Sequence, residues 1–399
     1  MMHTRVGRIR MVKNVFIIGA KGIPANYGGF ESFVEQLAAR KESKNIHYYV
    51  ACRRDLSENK ADTFEYNDAT CFNVDVPDVG PAKAILYDVN AFKWTMNYIK
   101  KNNIQNAIVY VLACRMGPFI KHFKKQLQQY NGTLFVNPDG HEWLRAKWSM
   151  PVRKYWKYSE RLMVKHADLL ICDSQNIEKY IQNDYKQYSP KTTYIAYGSD
   201  IIKSSLTDTD QVVTDWYTKH AVKLNNYYLI VGRFVPENNY ETMIREFMNS
   251  ATDKDLVIIS NVEKNKFYAD LQNKTNFESD PRIKFVGTVY DAELLKYIRE
   301  NAFAYLHGHE VGGTNPSLLE ALSSTRLNLL LDVGFNKEVG QDGALYWHKN
   351  DLAKVIDYSE KLALNEVESF NQVSSERINN AFSWHKIVTD YEKTFTMEK

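Results

Sequence analysis

The chain has 399 residues, too many for one ordinary core, so its length predicts two domains. Hydrophobic residues make up 44% and aromatics 13%, which excludes disorder, and a net charge of +3 is too small for bulk electrostatics to select a partner such as nucleic acid. The four cysteines, Cys52, Cys71, Cys114 and Cys172, form no C-x-x-C pair; they read as thiols of a reducing compartment and argue against a zinc site.

No run approaches the roughly 18 apolar residues that span a bilayer. The basic start, "MMHTRVGRIRMVKN", has no signal-length apolar stretch behind it, so a cytoplasmic chain is expected. The first strand is predicted at 14–19, where an apolar β-branched run meets glycine. Gly19, Gly22 and the late pair Gly28–Gly29 do not make G-x-G-x-x-G, so the turn is not a dinucleotide fingerprint. A helix is predicted at 30–41, with Phe30, Phe33, Val34 and Leu37 at helical spacing. Glycines before a helix let backbone N–H groups approach an anion, aided by the helix dipole, or they serve only to turn the chain.

Further strands at 47–52, 107–113, 133–137, 168–173 and 193–197 alternate with helices at 90–101, 118–129 and 151–166, which predicts parallel βαβ units. Asp139, His141 and Glu142 follow a strand end and suit proton transfer or contact with an acceptor hydroxyl. Pro151 opens the last of these helices. Val152, Tyr155, Trp156, Ser159, Leu162, Met163 and His166 share one face, and Arg153, Lys154, Lys157, Arg161 and Lys165 the other. With Trp143, Arg145, Lys147 and Trp148 just before it, segment 143–154 suits an anionic membrane surface and a phosphorylated lipid. The helix alone reads as a core face with a solvated basic back, with membrane contact as the alternative.

The pattern weakens over 200–224, which reads as a linker, and its "DTD" at 208–210 as solvated loop. Strands then resume at 227–232, 255–260, 282–287, 302–308 and 327–332, giving an α/β architecture with domains at 12–200 and 201–380. A final helix at 382–395 is a candidate to pack back across the boundary. Arg233 directly follows a strand end. It either grips a diphosphate through its forked donors or pairs with Glu237 or Glu241. The stretch "YLHGHEVGGTNPSLLEALSS", 305–324, holds His307, His309, Glu310, Gly312 and Gly313 before a helix start, with Thr314 or Asn315 as N-cap and Pro316 first in the helix. That helix start suits a phosphate, and Glu320, on the same face as Pro316, suits ribose hydroxyls. H-x-H-E lacks a known ligand spacing, so no metal is expected.

The segments "FIIGAKGIPANYGGFESFVEQL", "VNPDGHEWLRAKWS", "GRFVPENNYE" and "HGHEVGGTNPSLLEA" make the chain resemble retaining glycosyltransferases of family 4, and within them the bacterial rhamnosyltransferase branch. The resemblance implies the GT-B fold: two Rossmann-like domains with a deep interdomain cleft, and the last helix crossing back to the first domain. It implies transfer of L-rhamnose from dTDP-L-rhamnose to the 4-position of glucose or N-acetylglucosamine on undecaprenyl diphosphate. The implied partners are a nucleotide-sugar donor and a lipid-diphosphate-linked acceptor, with peripheral contact at the inner face of the plasma membrane and no metal.

Residue by residue, Gly28 and Gly29 match the glycine loop beside the donor diphosphate and the acceptor, Arg233 the diphosphate-binding arginine, and Glu320 the second Glu of E-x7-E, implied to bind the ribose. Two positions depart from the pattern. A lysine usually lies five residues after the arginine, where this chain has Asn238, so the diphosphate leans on the amides of Gly312–Thr314, next to Asn315. The first Glu of the motif would fall at Gly312; the nearest is Glu310, which inherits the expectation of holding the transferred sugar. Competing readings are a family-4 enzyme using a UDP-sugar, a nicotinamide-dependent oxidoreductase or epimerase, and a non-catalytic lipid- or polysaccharide-binding protein.

Overall fold

A computed structural model describes residues 12–25, 28–145 and 148–397. Two compact units emerge. The first holds the described residues of Met1–Trp143, Met150–Ala196 and Trp384–Lys399, and the second those of Leu144–Ser149 and Tyr197–Ser383.

In the first unit eight strands form one sheet: β1 (Lys13–Ile18), β2 (Ile46–Arg53), β3 (Thr63–Tyr66), β4 (Ala69–Val74), β5 (Ile108–Leu112), β6 (Thr133–Asn137), β7 (Leu169–Cys172) and β8 (Thr192–Tyr194), in spatial order β3-β4-β2-β1-β5-β6-β7-β8. All pairings are parallel except β3 with β4. Val15–Ile18 are buried without interruption, as a strand covered on both faces requires. Its helices are α1 (Gly29–Ala39), α2 (Lys83–Lys101), α3 (Gly117–Gln128), α4 (Met150–His166) and α5 (Gln175–Asp184).

The second unit repeats the plan. It contains α6 (Gln211–His220), β9 (Tyr227–Val231), α7 (Tyr240–Asn249), β10 (Asp255–Ile259), α8 (Lys266–Thr275), β11 (Ile283–Gly287), α9 (Ala292–Glu300), β12 (Ala304–His307), α10 (Pro316–Ser324), β13 (Asn328–Leu331), α11 (Gly334–Gly340), β14 (Leu345–Trp347), α12 (Leu352–Ser359) and α13 (Leu364–Arg377). Its sheet is wholly parallel, ordered β11-β10-β9-β12-β13-β14. The chain then returns to the first unit as α14 (Trp384–Thr396), whose Tyr391 hydroxyl lies 3.1 Å from that of Tyr110 and whose Glu392 accepts from the backbone of Glu42 (2.8 Å) and Ser43 (3.0 Å).

Several elements differ from expectation. The hairpin β3–β4 was not foreseen; Asn67 (φ 46) and Asp68 (φ 56) form its two-residue turn, and Asn and Asp tolerate that left-handed backbone. Helix α2 begins at Lys83 rather than 90, because buried Asp88 interrupts the apolar period at its start. The supposed linker contains α6, which buries Val213, Trp216 and Tyr217 against Tyr227, Leu229 and Val257 of the second sheet. Strand β14 spans three residues, too few for a periodic signal.

Candidate functional site

In doubly wound sheets ligands gather where the strand order reverses, beyond the carboxyl ends of the strands. In the second unit that point lies between β9 and β12; in the first, between β1 and β5.

After β9, Arg233 emerges exposed and has no acid partner among the described residues. The competing pairing is not realised: Glu241 holds Lys274 (2.8 Å) and Arg245 (3.4 Å), and Glu237 is buried. Asn238 donates through Nδ2 to the Arg233 carbonyl (2.7 Å), and its Oδ1 lies 2.7 Å from His309 Nδ1. Since Nδ2 is committed to a carbonyl, Oδ1 is the acceptor and His309 Nδ1 carries the proton. Both ends of the Asn238 amide are thus engaged inside the unit, binding the loop after β9 to the loop after β12. Asn239 adds to the seam, donating to Gly308 O (2.8 Å) and Glu310 Oε2 (2.9 Å). Lys349 grips the same Glu310 oxygen at 2.5 Å.

The loop then bends through Gly312, whose φ of 137 excludes an L side chain without strain. Gly313 and Thr314 are buried, and Asn315 caps α10 by accepting from Ser317 N (2.9 Å) and Leu318 N (3.4 Å). Asn315, not Thr314, is therefore the cap, with Pro316 in the first turn. The Ser317 and Tyr305 hydroxyls each reach Val231 O at 3.0 Å, fastening the start of α10 to the end of β9. Glu320, one turn further, pairs with Arg299 at 2.5 Å.

Three buried polar atoms around these strand ends have no partner among the described residues: His307 Nε2, Ser260 Oγ and Glu237 Oε2. Each costs about 1–3 kcal/mol if nothing completes it, and such groups mark places where a polar ligand or water belongs. Burial holds the His307 imidazole down at about 3, so it is neutral, and holds His309 well below its ordinary value for the same reason. Ser260, Arg299 and Lys349 fall in no recognisable motif, and only the fold brings them to the strand ends; Glu237, a candidate partner of Arg233 in the sequence, is buried there instead.

In the first unit, Gly28 (φ 132) precedes α1. The buried carboxylate of Glu31 lies over Gly28, where a Cβ would collide with it, and accepts from Lys21 N at 2.7 Å. This helix start therefore already carries an anion of its own, which works against Gly28 and Gly29 as a phosphate cradle. Gly19, at the reversal point, is held by Arg115, whose guanidinium donates to Gly19 O (2.9 Å) and faces buried Asp88 (3.3 Å). Burial pushes the Asp88 carboxyl up to about 6, against the pull of Arg115. A cavity of about 220 Å³ adjoins this region, lined by Lys21, Glu31, Cys52 and Glu58 among others. A second, of about 420 Å³, lies beside Asn239 and Lys349. Arg233 and Gly312 line neither, so the residues at the β9–β12 crevice are identified by their chemistry and not by cavity volume.

Asp139 (φ 59) and His141 (φ 48) both take left-handed backbone after β6, a concentration of strain in a short loop. The His141 ring packs on Tyr180 at 4.1 Å; burial and then the Lys157 charge lower its pKa. Glu142 is half-buried in a short 3-10 turn with Trp143. Trp143 is not an outward-facing anchor: Nε1 donates to Tyr180 (3.3 Å), Arg153 Nε donates to its carbonyl (2.7 Å), and Lys157 sits 4.6 Å over its ring. Lys157, expected on a solvated face, also lies over Tyr180 and Tyr185 and reaches buried Glu160 at 3.4 Å. Arg145 and Trp148 are half-buried, Lys154 is exposed, and Lys147 lies outside the described residues. The outward face of α4 instead carries Met150, Lys154, Tyr158, Arg161 and Lys165.

Among the described residues, no cluster of three or more His, Cys, Asp or Glu side chains is placed to hold a metal ion, and no helix is long and apolar enough to cross a membrane.

Residues 12–200 match the family described as a domain of unknown function (DUF1972). No curated protein matches the chain. Among solved structures it is similar to sucrose-phosphate synthase from Thermosynechococcus elongatus, with 17% identity, 96% of this chain and 98% of that one covered, and a TM-score of 0.74. It is also similar to a glycosyltransferase from Rickettsia africae (14% identity, 96% and 98% covered, TM-score 0.72) and to HepE from Anabaena in complex with UDP (14% identity, 96% and 100% covered, TM-score 0.69). The two α/β sheets thus share the fold of GT-B glycosyltransferases.

Proposed function

We propose that the chain is a retaining glycosyltransferase that moves L-rhamnose from dTDP-L-rhamnose to the 4-hydroxyl of glucose or N-acetylglucosamine on undecaprenyl diphosphate, at the inner face of the plasma membrane. The observation that carries the reading is Arg233: an exposed guanidinium without an acid partner, standing where the second sheet reverses its strand order and fastened through Asn238 to the loop that leads into α10. A diphosphate fits both the forked cation and the dipole of a capped helix start. In this reading the donor occupies residues 201–380 and the acceptor residues 12–200.

Arg233 and the α10 amides stabilise negative charge as the nucleoside diphosphate departs from the sugar. The acceptor hydroxyl attacks from the face that the leaving group vacates, and the leaving phosphate takes its proton, so no protein nucleophile is needed. Glu320 holds a ribose hydroxyl and Glu310 the transferred sugar. Asp139, His141 and Glu142 orient the acceptor. No metal takes part. The outward face of α4, with Lys154, Arg161 and Lys165 around Met150 and Tyr158, supports contact with an anionic membrane.

The UDP in the structurally similar HepE favours a second reading, in which the donor is a UDP-sugar. Incubation of the full chain with dTDP-L-rhamnose or UDP-sugars and each lipid-diphosphate-linked sugar, read by mass spectrometry, tests both. Rhamnosyl product is the expected result. Product only with a UDP-sugar moves the assignment to the second reading, and no product with any donor overturns both.

A further inference from the structure

Helix α10 is held at more than its capped start. Thr325, just past its end, donates through Oγ1 to the Arg299 carbonyl at 3.0 Å, and the Arg299 guanidinium reaches Glu320 Oε2 at 2.5 Å. The two partners are unequally placed. The Arg299 side chain is 6% exposed and that of Glu320 is 50% exposed. Burying a guanidinium costs several kcal/mol, and one that meets a half-hydrated carboxylate recovers only part of this through the pair. Arg299 Nε has no partner among the described residues, nor does Glu320 Oε1. A purely structural tie between α9 and α10 gains little from leaving both atoms open.

Side chains on a helix lean toward its N-terminus. The Glu320 carboxylate, one turn inside α10, therefore leans toward the end formed by Gly312, Thr314 and Asn315. With Oε2 gripped from below by Arg299, a freely rotating carboxylate becomes a fixed acceptor with one open oxygen, and the ordering cost is met before any ligand arrives.

We infer that Arg299 is a positioning residue: it acts through Glu320, holding Oε2 so that Oε1 receives a ribose hydroxyl of the bound nucleotide. The inference rests on the nucleotide-sugar reading of the second unit. One open oxygen suffices for the single 3′-hydroxyl that a deoxyribose shares with ribose, so the grip serves dTDP as well as UDP.

Titration calorimetry on the full chain tests this, with dTDP, UDP and inorganic diphosphate as probes. Arg299→Met weakens both nucleotides about tenfold or more, the scale of one charge-assisted hydrogen bond, and Arg299→Lys recovers part of the loss. In a Glu320→Gln background Arg299→Met adds no further loss, and inorganic diphosphate, which has no ribose, binds Arg299→Met as it binds wild type. A loss that persists in the Glu320→Gln background, or that extends to inorganic diphosphate, makes Arg299 merely structural and overturns the inference. If Arg299→Met does not fold, Arg299→Lys carries the same comparison. Wild type that binds neither nucleotide ends the nucleotide reading and this inference with it. Nucleotide binding that neither Arg299 variant changes ends this inference alone.

Discussion

Arg233 and His307 show what single residues contribute at the end of a strand. Arg233 makes no side-chain contact with an acid among the described residues, so replacing it removes charge without opening the core. Arg233→Ala is expected to lower transfer by at least about a hundredfold, as loss of a group that stabilises a leaving anion does. Its circular dichroism and melting should match wild type; near-normal turnover would sink the clamp. His307 is the opposite case, buried and neutral. The unfolded chain takes up a proton below its ordinary value of 6.5, whereas the folded chain resists protonation down to about 3. Its contribution to stability is therefore complete above pH 6.5 and falls as pH drops toward 3. From pH 7.5 to pH 5 that loss is about 2 kcal/mol. His307→Gln should flatten this part of the acid dependence of the urea midpoint; equal pH slopes in the two proteins would refute the account.

At the scale of elements, α10 was legible because its start is written in local chemistry: glycines, then Asn315 as cap and Pro316 in the first turn. Asn315→Ala removes two hydrogen bonds to the first turn and is expected to cost about 1 kcal/mol of second-unit stability, measured by urea unfolding, while also weakening nucleotide binding. The strands of both sheets other than β3, β4 and β14 were legible as apolar runs for a related reason: buried parallel strands need no alternation. What escaped reading depended on contacts across the fold. The buried face of α6 and the polar contacts of α4 illustrate it. Val213, Trp216 and Tyr217 have helical spacing, but the surrounding Thr and Asp residues made α6 read as linker. On α4, Glu160 looks like a surface acid until Tyr180 and Tyr185 are seen donating to it, and Lys157 like a surface base until three rings are found beneath it. The Arg299–Glu320 pair had no signal in spacing at all. This sorting separates two kinds of residue in segment 143–158. Lys154→Glu, on the outward face, should reduce co-sedimentation with anionic lipid vesicles and leave melting unchanged. Trp143→Ala should instead lower the melting temperature of the first unit, since it empties the space between Tyr180 and Lys157. Unchanged vesicle binding by Lys154→Glu would remove α4 from the membrane reading.

At the scale of the whole molecule, the chain order and the spatial order of the units disagree, and α14 is where that matters. The first unit is not complete when the chain leaves it at Ala196; its last piece is made after the whole second unit. Tyr391 and Phe395 are fully buried, with the Tyr391 ring 5.0 Å from Phe33 and the Phe395 ring 6.2 Å from Tyr48, 5.9 Å from Tyr110 and 6.3 Å from Phe135. Without α14, those four rings on α1 and the first sheet lose an apolar cover. Removing one such ring by Phe395→Ala is expected to cost about 3–5 kcal/mol. Tyr391→Phe, which removes the hydroxyl contact to Tyr110 and keeps the ring, should cost about 1 kcal/mol. A chain ended at Ser383 should then show, in scanning calorimetry, a first-unit transition at much lower temperature. The second unit keeps Tyr197–Ser383 intact, so its own core predicts an unchanged transition. If both transitions fell together, the two units would unfold as one and α14 would be supporting the whole chain; if neither moved, the aromatic cover would be dispensable. A first-unit transition that falls alone means that the amino-terminal 196 residues cannot reach their final stability until residues 384–396 have been added, and that folding of the first unit is completed last.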